Sequence, residues 1–207
     1  MRQNENRFSS RGVYCVRKLG SRPLSSLPPP GILVMNVPPH MASGAASPAT
    51  GGAPSPLSDG RQSRAALAIA RGTARYLHAL GYCVVSELPL PSGRRADLVA
   101  LGGDGEIIIV EIKSSVADFR TDQKWMDYRQ HCDRLFFATH AGVPCDIFPA
   151  EAGLIVADAF GAAIICEAPE QRIPAATRKS VMLRFAHAAA LRLQAIADPQ
   201  GPYNGQF

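Results

Sequence analysis

The sequence lacks the features that mark zinc-binding, disulfide-bonded and membrane proteins. Its five cysteines lie far apart and form no C-x-x-C pair, which argues against a zinc site and against a dithiol redox motif. It has no run of roughly 20 apolar residues, the length that a membrane helix requires. The apolar cluster at 32–34 is too short for a signal peptide, whose core has roughly 7 to 15 apolar residues. We therefore expect a cytoplasmic protein with reduced thiols and no membrane contact.

Acidic residues are scarce only at the N-terminal end of the chain. The first 60 residues hold six Lys or Arg and two Asp or Glu, whereas residues 61–207 hold 16 basic and 15 acidic residues. The formal charge of +5 therefore comes mainly from the first segment. Net charge alone gives no argument that the rest of the chain binds nucleic acid.

The first segment is also rich in residues that oppose regular structure. Gly, Pro and Ser make up 25 of its 60 residues, so it cannot bury enough apolar surface to offset the entropy of ordering. We expect a disordered basic tail over 1–60, one domain over 61–200, and a flexible end over 201–207. The tail is a solvated arm, an over-extended start, or an arm that touches nucleic acid.

Hydrophobic periodicity predicts the order α-β-β-β-α-β, followed by a β-hairpin and a final helix. A capping box of Ser115 and Asp118 opens the second helix. The expected helices cover 63–80, 116–131 and 177–197, and the expected strands cover 82–88, 95–102, 106–113, 134–139, 154–158 and 162–167. The final helix has an apolar face formed by Met182, Phe185, Ala186, Ala189, Leu193 and Ile196. This order predicts an α/β protein of the mixed α+β type, with one mixed sheet and helices on its faces.

Charged residues interrupt two strands that are otherwise apolar. Asp97 lies in the second strand, and Glu111 and Lys113 lie in the third. Because side chains alternate along a strand, Glu111 and Lys113 share a face and Ile112 points to the other. If residues 103–105 form a three-residue loop whose last glycine is left-handed, Asp97 lies opposite Glu111. A two-residue or four-residue loop would put the carboxylates on opposite faces.

Two opposed carboxylates on an apolar sheet repel each other and lose solvation unless a cation lies between them. Carboxylate oxygens suit Mg²⁺ or Mn²⁺, and the backbone carbonyl of Ile112 is a further candidate ligand. Lys113 would activate water and counter the charge that develops on a phosphate. Asp97, Glu111 and Lys113 are therefore the candidate catalytic residues for hydrolysis of a phosphodiester bond. The alternative is a structural Glu–Lys pair at a strand end.

The spacing of Asp97 and Glu111-x-Lys113 on this order of elements resembles the PD-(D/E)XK nuclease superfamily, whose core is restriction-endonuclease-like. More narrowly, the stretch that runs from Gly93 to Arg134 resembles the MmcB family of DNA-repair-related proteins. The resemblance covers about 60–170. The resemblance implies a nuclease-like fold and a link to DNA repair, and the family name by itself does not establish cleavage. Together with the candidate site, it leads us to expect a metal-dependent deoxyribonuclease whose partner is branched or damaged DNA. A homodimer or a complex with a repair protein is a further expectation. A non-catalytic module that binds DNA or a protein is the alternative.

One feature departs from that superfamily, which often has a further acidic residue on its first helix. Residues 62–80 contain no acid. Glu87, near the end of the first strand, is the nearest substitute as a metal ligand. Its other interpretation is a salt bridge to Arg94 or Arg95.

Four residues near the expected site are candidates for contact with nucleic acid. Arg94 and Arg95 match the geometry of phosphate oxygens, but they would equally balance the nearby acids. Lys124 is a candidate for a contact with phosphate or substrate. Trp125 could stack on an unpaired base, and its alternative is a place in the core.

Overall fold

The computed structural model describes residues 63–121 and 124–203. The expected N-terminal tail lies outside these residues, as do residues 204–207 of the expected C-terminal end. Within the described residues, no helix combines the length and the apolar character needed to cross a bilayer.

The described residues form four α-helices and one six-stranded sheet. The helices are α1 (Arg64–Ala79), α2 (Val116–Thr121), α3 (Trp125–Arg129) and α4 (Ala175–Ala197), and the strands are β1 (Cys83–Pro89), β2 (Arg95–Leu101), β3 (Ile107–Ile112), β4 (Arg134–Thr139), β5 (Gly153–Ala157) and β6 (Ala162–Cys166). The strands lie in chain order across the sheet. β3, β4 and β5 are parallel to each other, and the remaining pairs are antiparallel. The predicted mixed sheet flanked by helices is confirmed.

The two faces of the sheet carry separate apolar layers. α1 covers one face, where Ile69 and Leu77 pack with Ile108, Val110 and Phe136. α2, α3 and α4 cover the other face, whose buried side chains include Ile107, Ile109, Phe137, Val181 and Phe185. All residues of β3 and β4 are buried, so these two strands form the centre of the core.

The prediction of one continuous helix over 116–131 is wrong. Ser115 caps α2 as expected, since the Asp118 N–H donates to Ser115 Oγ over 3.1 Å, but Asp118 Oδ2 accepts from the Ser114 N–H and so does not complete the box. α2 covers Val116–Thr121, and Lys124 forms a turn before α3. Phe119 and Trp125 both contact the Phe137 ring, with centroid distances of 5.4 and 6.0 Å. Residues six apart on a straight helix point about 120° away from each other. The turn at Lys124, before α3, lets both aromatic rings reach the same core residue.

The apolar face expected on the final helix is only partly the buried one. α4 buries Val181, Phe185 and Ala188, whereas Leu193 and Ile196 are 67% and 71% exposed. Met182 and Ala186 are exposed as well. Arg178 explains this rotation of the helix. It donates two hydrogen bonds to Asp133, and residues 181, 185 and 188 follow it along the same side of the helix.

The turn between β2 and β3 has the three-residue geometry expected from its sequence. Gly105 has a φ of 86°, and its N–H donates to the Gly102 carbonyl over 3.0 Å. The Gly102 N–H donates in turn to the Glu106 carbonyl over 2.9 Å. The strands then pair Leu101 with Ile107 and continue to Leu98 with Val110. The register that the sequence predicted is confirmed.

Substituting the left-handed glycine of this turn should destabilise the fold. We expect Gly105→Ala to lower the free energy of unfolding by about 1 kcal/mol, because an L side chain at this φ is strained. Gly103→Ala is the matched control, since a Cβ there meets nothing within 4 Å and the backbone is not left-handed. Urea unfolding of both variants tests this expectation. Equal losses of unfolding free energy in Gly105→Ala and Gly103→Ala would show that the left-handed conformation of Gly105 does not stabilise the turn.

Candidate active site

Asp97 and Glu111 lie side by side on neighbouring strands. The register of β2 and β3 pairs Leu98 with Val110, so continuing it by one residue places Asp97 opposite Glu111. The Asp97 N–H donates to Glu111 Oε1 over 3.3 Å, and the Ile112 N–H donates to Asp97 Oδ2 over 2.7 Å. Each carboxylate is thus held by the backbone of the neighbouring strand. The predicted meeting of the two acids is present in the structure.

Both charged residues at the end of β3 are buried. Glu111 is 3% exposed and Lys113 is 4% exposed, whereas Asp97 is half-buried. Alternation along β3 puts Glu111 and Lys113 on the face covered by α2, α3 and α4, and Ile112 packs on the α1 face. The site is therefore nearly enclosed, and Asp97 is its most accessible acid.

The end of β4 fixes the backbone at Lys113. The Lys113 N–H donates to the Ala138 carbonyl over 2.9 Å, and Thr139 Oγ1 donates to the Lys113 carbonyl over 2.7 Å. The backbone groups of Lys113 therefore face β4. Since neighbouring residues of a strand turn their N–H and C=O groups to opposite sides, those of Ile112 face Asp97. The Ile112 carbonyl is thus on the side where a metal ligand was expected.

The surroundings of Asp97 favour its protonated form. Burial raises the pKa of Asp97 to about 6, and the nearby charges of Glu87 and Asp118 act in the same direction. The Ile112 N–H and the Lys113 ammonium group oppose this shift. Because burial is the main cause, ionisation of Asp97 costs solvation, and a cation bound at the carboxylate would offset that cost.

Without divalent ions, Asp97→Asn should stabilise the fold at neutral pH. The pKa of Asp97 is about 6 in the fold and about 3.9 in an unfolded chain, so the parent loses stability as the pH rises from about 4 to about 6, and the loss is complete above that. We expect a gain of up to about 3 kcal/mol at pH 7 that shrinks between pH 6 and pH 4 and is small below pH 4, where both states become protonated. Urea unfolding in EDTA across this pH range tests it. A gain that does not change with pH would contradict it.

Glu87 lies in the same cross-strand row as the two acids, but in an unusual conformation. β1 and β2 pair Ser86 with Leu98 and Leu88 with Ala96, which places Glu87 opposite Asp97. Its φ of 50° is left-handed, a conformation that costs a non-glycine residue about 1 kcal/mol or more. Its Oε2 lies 2.6 Å from Arg95 Nε. The structure thus forms the predicted salt bridge, and a role in metal binding stays a prediction.

Arg94, just before β2, and Arg95, the first residue of β2, both pair with acids. Arg95 contacts Glu87, while Arg94 Nε donates to Asp127 Oδ2 on α3 over 2.9 Å. Both guanidinium groups remain at least one-third exposed. Lys124 is exposed just before α3. Contact of these three side chains with nucleic acid stays a prediction.

The aromatic residues of α3 belong to the core. Trp125 is half-buried and packs edge-on against Phe137. Tyr128 is 6% exposed, and its hydroxyl donates to the Arg95 carbonyl over 3.2 Å. The core alternative for Trp125 therefore matches its position, and Tyr128 fixes the first residue of β2 next to Asp97.

Arg192 is a charged neighbour of the site that sequence reasoning missed. It is half-buried on α4; burial lowers its pKa, and Glu87 opposes that shift. No sequence signal marks it, because the apolar periodicity of α4 predicts a different buried side. Residue 192 continues the row of Val181, Phe185 and Ala188, which the structure shows to be buried.

The donors that could hold a divalent ion are few. Among the described residues, no three His, Cys, Asp or Glu side chains come together in a geometry that suits a metal. Asp97, Glu111 and the Ile112 carbonyl are hard oxygen donors, and Mg²⁺ commonly binds to one or two carboxylates with water completing its shell. The raised pKa of Asp97 fits such an ion. The residues present therefore fit magnesium or manganese better than zinc.

Comparisons with known proteins give one family and one close structural relative. The model of the MmcB-like DNA repair protein family matches residues 53–200. The solved structure of a protein of unknown function from Silicibacter pomeroyi is 45% identical. The match covers 70% of this chain and 97% of that chain, with a TM-score of 0.65. A repair endonuclease from Pyrococcus abyssi is 16% identical over 33% of each chain, with a TM-score of 0.26. No curated protein matches the chain.

Proposed function

Because the chain belongs to the MmcB-like DNA repair family, we propose that it is a divalent-metal-dependent nuclease that hydrolyses phosphodiester bonds of branched or damaged DNA. The observation that supports this most directly is the hydrogen bond from the Asp97 N–H to Glu111 Oε1, which brings the two acidic residues together next to Lys113. Two carboxylates that share one largely buried face repel each other and lose solvation unless a cation lies near them.

Each residue of the proposed site has a distinct chemical task. Asp97, Glu111 and the Ile112 carbonyl would hold Mg²⁺ or Mn²⁺, which supplies Lewis-acid polarisation of a phosphoryl oxygen when it is bound. The Lys113 ammonium group would stabilise negative charge that develops on the phosphate. Its buried position strengthens that interaction, because little water screens it.

The residues around the site would position the DNA. Arg94 and Arg95 lie at the start of β2, and Lys124 lies at the start of α3. Their exposed guanidinium and ammonium groups are suited to phosphate oxygens. When DNA binds, its phosphates would replace or add to the contacts of Arg95 with Glu87 and of Arg94 with Asp127.

A second candidate function is a non-catalytic DNA-binding module on the same fold. The near-complete burial of Glu111 and Lys113 favours it, since a substrate phosphate must reach both the ion and the lysine. The half-buried Asp97 is the only one of the three through which solvent reaches the site directly.

Metal-dependent cleavage separates the two candidates. Full-length protein would be incubated with branched, single-stranded and duplex DNA in Mg²⁺, Mn²⁺ or EDTA, beside Glu111→Gln as an uncharged control of nearly equal shape. The nuclease proposal expects cleavage of at least one DNA that depends on the ion and is lost in Glu111→Gln. Binding of DNA without cleavage under any of these conditions would replace it with the non-catalytic module.

A further inference from the structure

The exposed side of α1 carries a row of arginines. Arg64, Arg71 and Arg75 are all exposed, and their spacing of seven and four residues places them on one side of the helix. The row extends about 17 Å along the helix axis, at 1.5 Å per residue. His78 continues it at the end of the helix. We call Arg64, Arg71 and Arg75 the arginine row.

No acid on α1 balances this charge. The helix contains no Asp or Glu, and within the described residues neither Arg64 nor Arg71 forms an ion pair. Arg75 donates only to the Ala159 carbonyl, over 3.1 Å. By contrast, the arginines at the candidate site pair with acids. The arginine row is therefore available to an external anion.

The first residue of the row also breaks a local rule of helix stability. Arg64 occupies the first position of α1, and the first turn has no acid. The partial positive charge at a helix N-terminus disfavours a cation there by roughly 0.3–1 kcal/mol. A residue that lowers stability without a compensating contact in the fold is a candidate for function.

The row begins beside the candidate site. Ser63, which caps α1, has its Oγ 3.4 Å from Ser114 Oγ, and Ser114 directly follows Lys113. From there, α1 runs along the sheet face opposite to the one that carries Glu111. The start of the row thus lies at the end of β3, and its other end lies away from the carboxylates.

We propose that the arginine row binds the sugar-phosphate backbone of a DNA strand as that strand extends past the end of β3. The inference rests on the proposed DNA substrate, but it does not require cleavage. Guanidinium groups form paired hydrogen bonds to phosphate oxygens, and such contacts bind DNA without reading its sequence.

The chemistry of the row favours DNA over a lipid surface. A helix that lies on a membrane buries large apolar side chains beside its basic residues. None of the exposed large apolar residues of the described chain lies on α1, and most lie on α4; one, Phe160, follows Ala159 at the end of the row. A row of arginines with a single exposed ring at one end is suited to phosphates more than to a lipid surface.

The test compares two triple variants of the full-length protein in EDTA. One is Arg64→Ala with Arg71→Ala and Arg75→Ala. The other, with the same change in charge, is Arg172→Ala with Lys179→Ala and Arg184→Ala, which removes exposed basic residues from α4 and the segment before it. Fluorescence anisotropy measures binding of labelled single-stranded and duplex DNA over a salt series. Thermal melting checks that each variant is folded.

We expect the arginine-row variant to bind at least one of the two DNAs roughly tenfold more weakly. The slope of log affinity against log salt should fall by about 2 to 3, because about 0.7 to 0.9 counterions are released per phosphate contact. The control variant should keep most of its slope. Equal losses in both variants, or unchanged binding in the arginine-row variant, would overturn the inference. Arginine-dependent binding to phosphatidylserine vesicles of similar strength would overturn it in favour of lipid.

Cleavage is measured separately with Mg²⁺ on the same DNAs. If the salt slope depends on the arginine row but no DNA is cut, the nuclease proposal fails and this inference stands. If DNA is cut and the slope does not depend on the row, only this inference fails.

Discussion

Lys113→Ala should abolish DNA cleavage and leave divalent-ion binding nearly unchanged. A protonated lysine cannot ligate a hard cation, so its loss removes a contact to the phosphate and leaves the carboxylate ligands in place. Deleting one preorganised stabilising group typically lowers the rate by about 10² to 10³. Single-turnover cleavage would be measured beside calorimetric titration with Mg²⁺ and Mn²⁺.

Two further variants separate charge from packing at this buried position. Lys113→Met retains an apolar stem of similar length, so it should lose cleavage to the same extent while filling the space. Lys179→Ala removes an exposed lysine of α4 and should retain both cleavage and ion binding. A Lys113→Met protein that still cuts DNA would show that the ammonium group has no part in the reaction.

The carboxylates should behave differently from the lysine. Asp97→Ala and Glu111→Ala remove ligand oxygens, so ion binding and cleavage should be lost together. Either change also removes one member of a repelling pair, which partly offsets the lost packing when no ion is present. If these variants bind ions as well as the parent does, the ion site lies elsewhere in the protein.

The second large effect is expected in stability, at the end of the sheet opposite the site. Asp133 is 5% exposed, accepts two hydrogen bonds from Arg178 at 2.6 and 2.7 Å, and accepts the Ile107 N–H at 2.8 Å. It therefore ties α4 to β3. Asp133→Ala should lower the free energy of unfolding by about 3 kcal/mol or more, because a buried N–H and a partly buried guanidinium group lose their partner.

The loss at Asp133 should depend on pH. Burial alone would raise the pKa of Asp133, but hydrogen bonds from Arg178 and the Ile107 N–H hold that pKa below its usual value. The stabilisation is therefore present above the unfolded pKa and disappears as the pH falls through the folded one. Urea unfolding at neutral and acidic pH should show the parent and the variant converging in acid.

A surface ion pair provides the control for this result. Asp127 pairs with Arg94, and both side chains are more than one-third exposed. Asp127→Ala should cost less than about 1 kcal/mol, as exposed pairs usually do. If Asp133→Ala and Asp127→Ala lower the free energy of unfolding equally, the burial of Asp133 is not the cause of its large effect.

Local sequence determined the strands and the meeting of the two carboxylates. Residues 103–105 close a turn of known geometry, and a turn fixes the register of the hairpin it joins. From there, alternation alone places Asp97, Glu111 and Lys113 on one face. The cap that Ser115 places on the Asp118 N–H is equally local. These features depend on residues close together in the chain, which is why their pattern predicts them.

Contacts between residues far apart in the sequence decided the division of the second helix and the rotation of α4. The helix expected over 116–131 divides because Phe119 and Trp125 both pack on Phe137 of β4. The apolar periodicity of α4 favours the side of Met182, Leu193 and Ile196, but that side is exposed. The contact of Arg178 with Asp133 turns a neighbouring side of the helix toward the core. That rotation also turns Arg192 toward Glu87. Each of these outcomes follows from a packing partner far away in the sequence, where neither spacing nor propensity carries information about it.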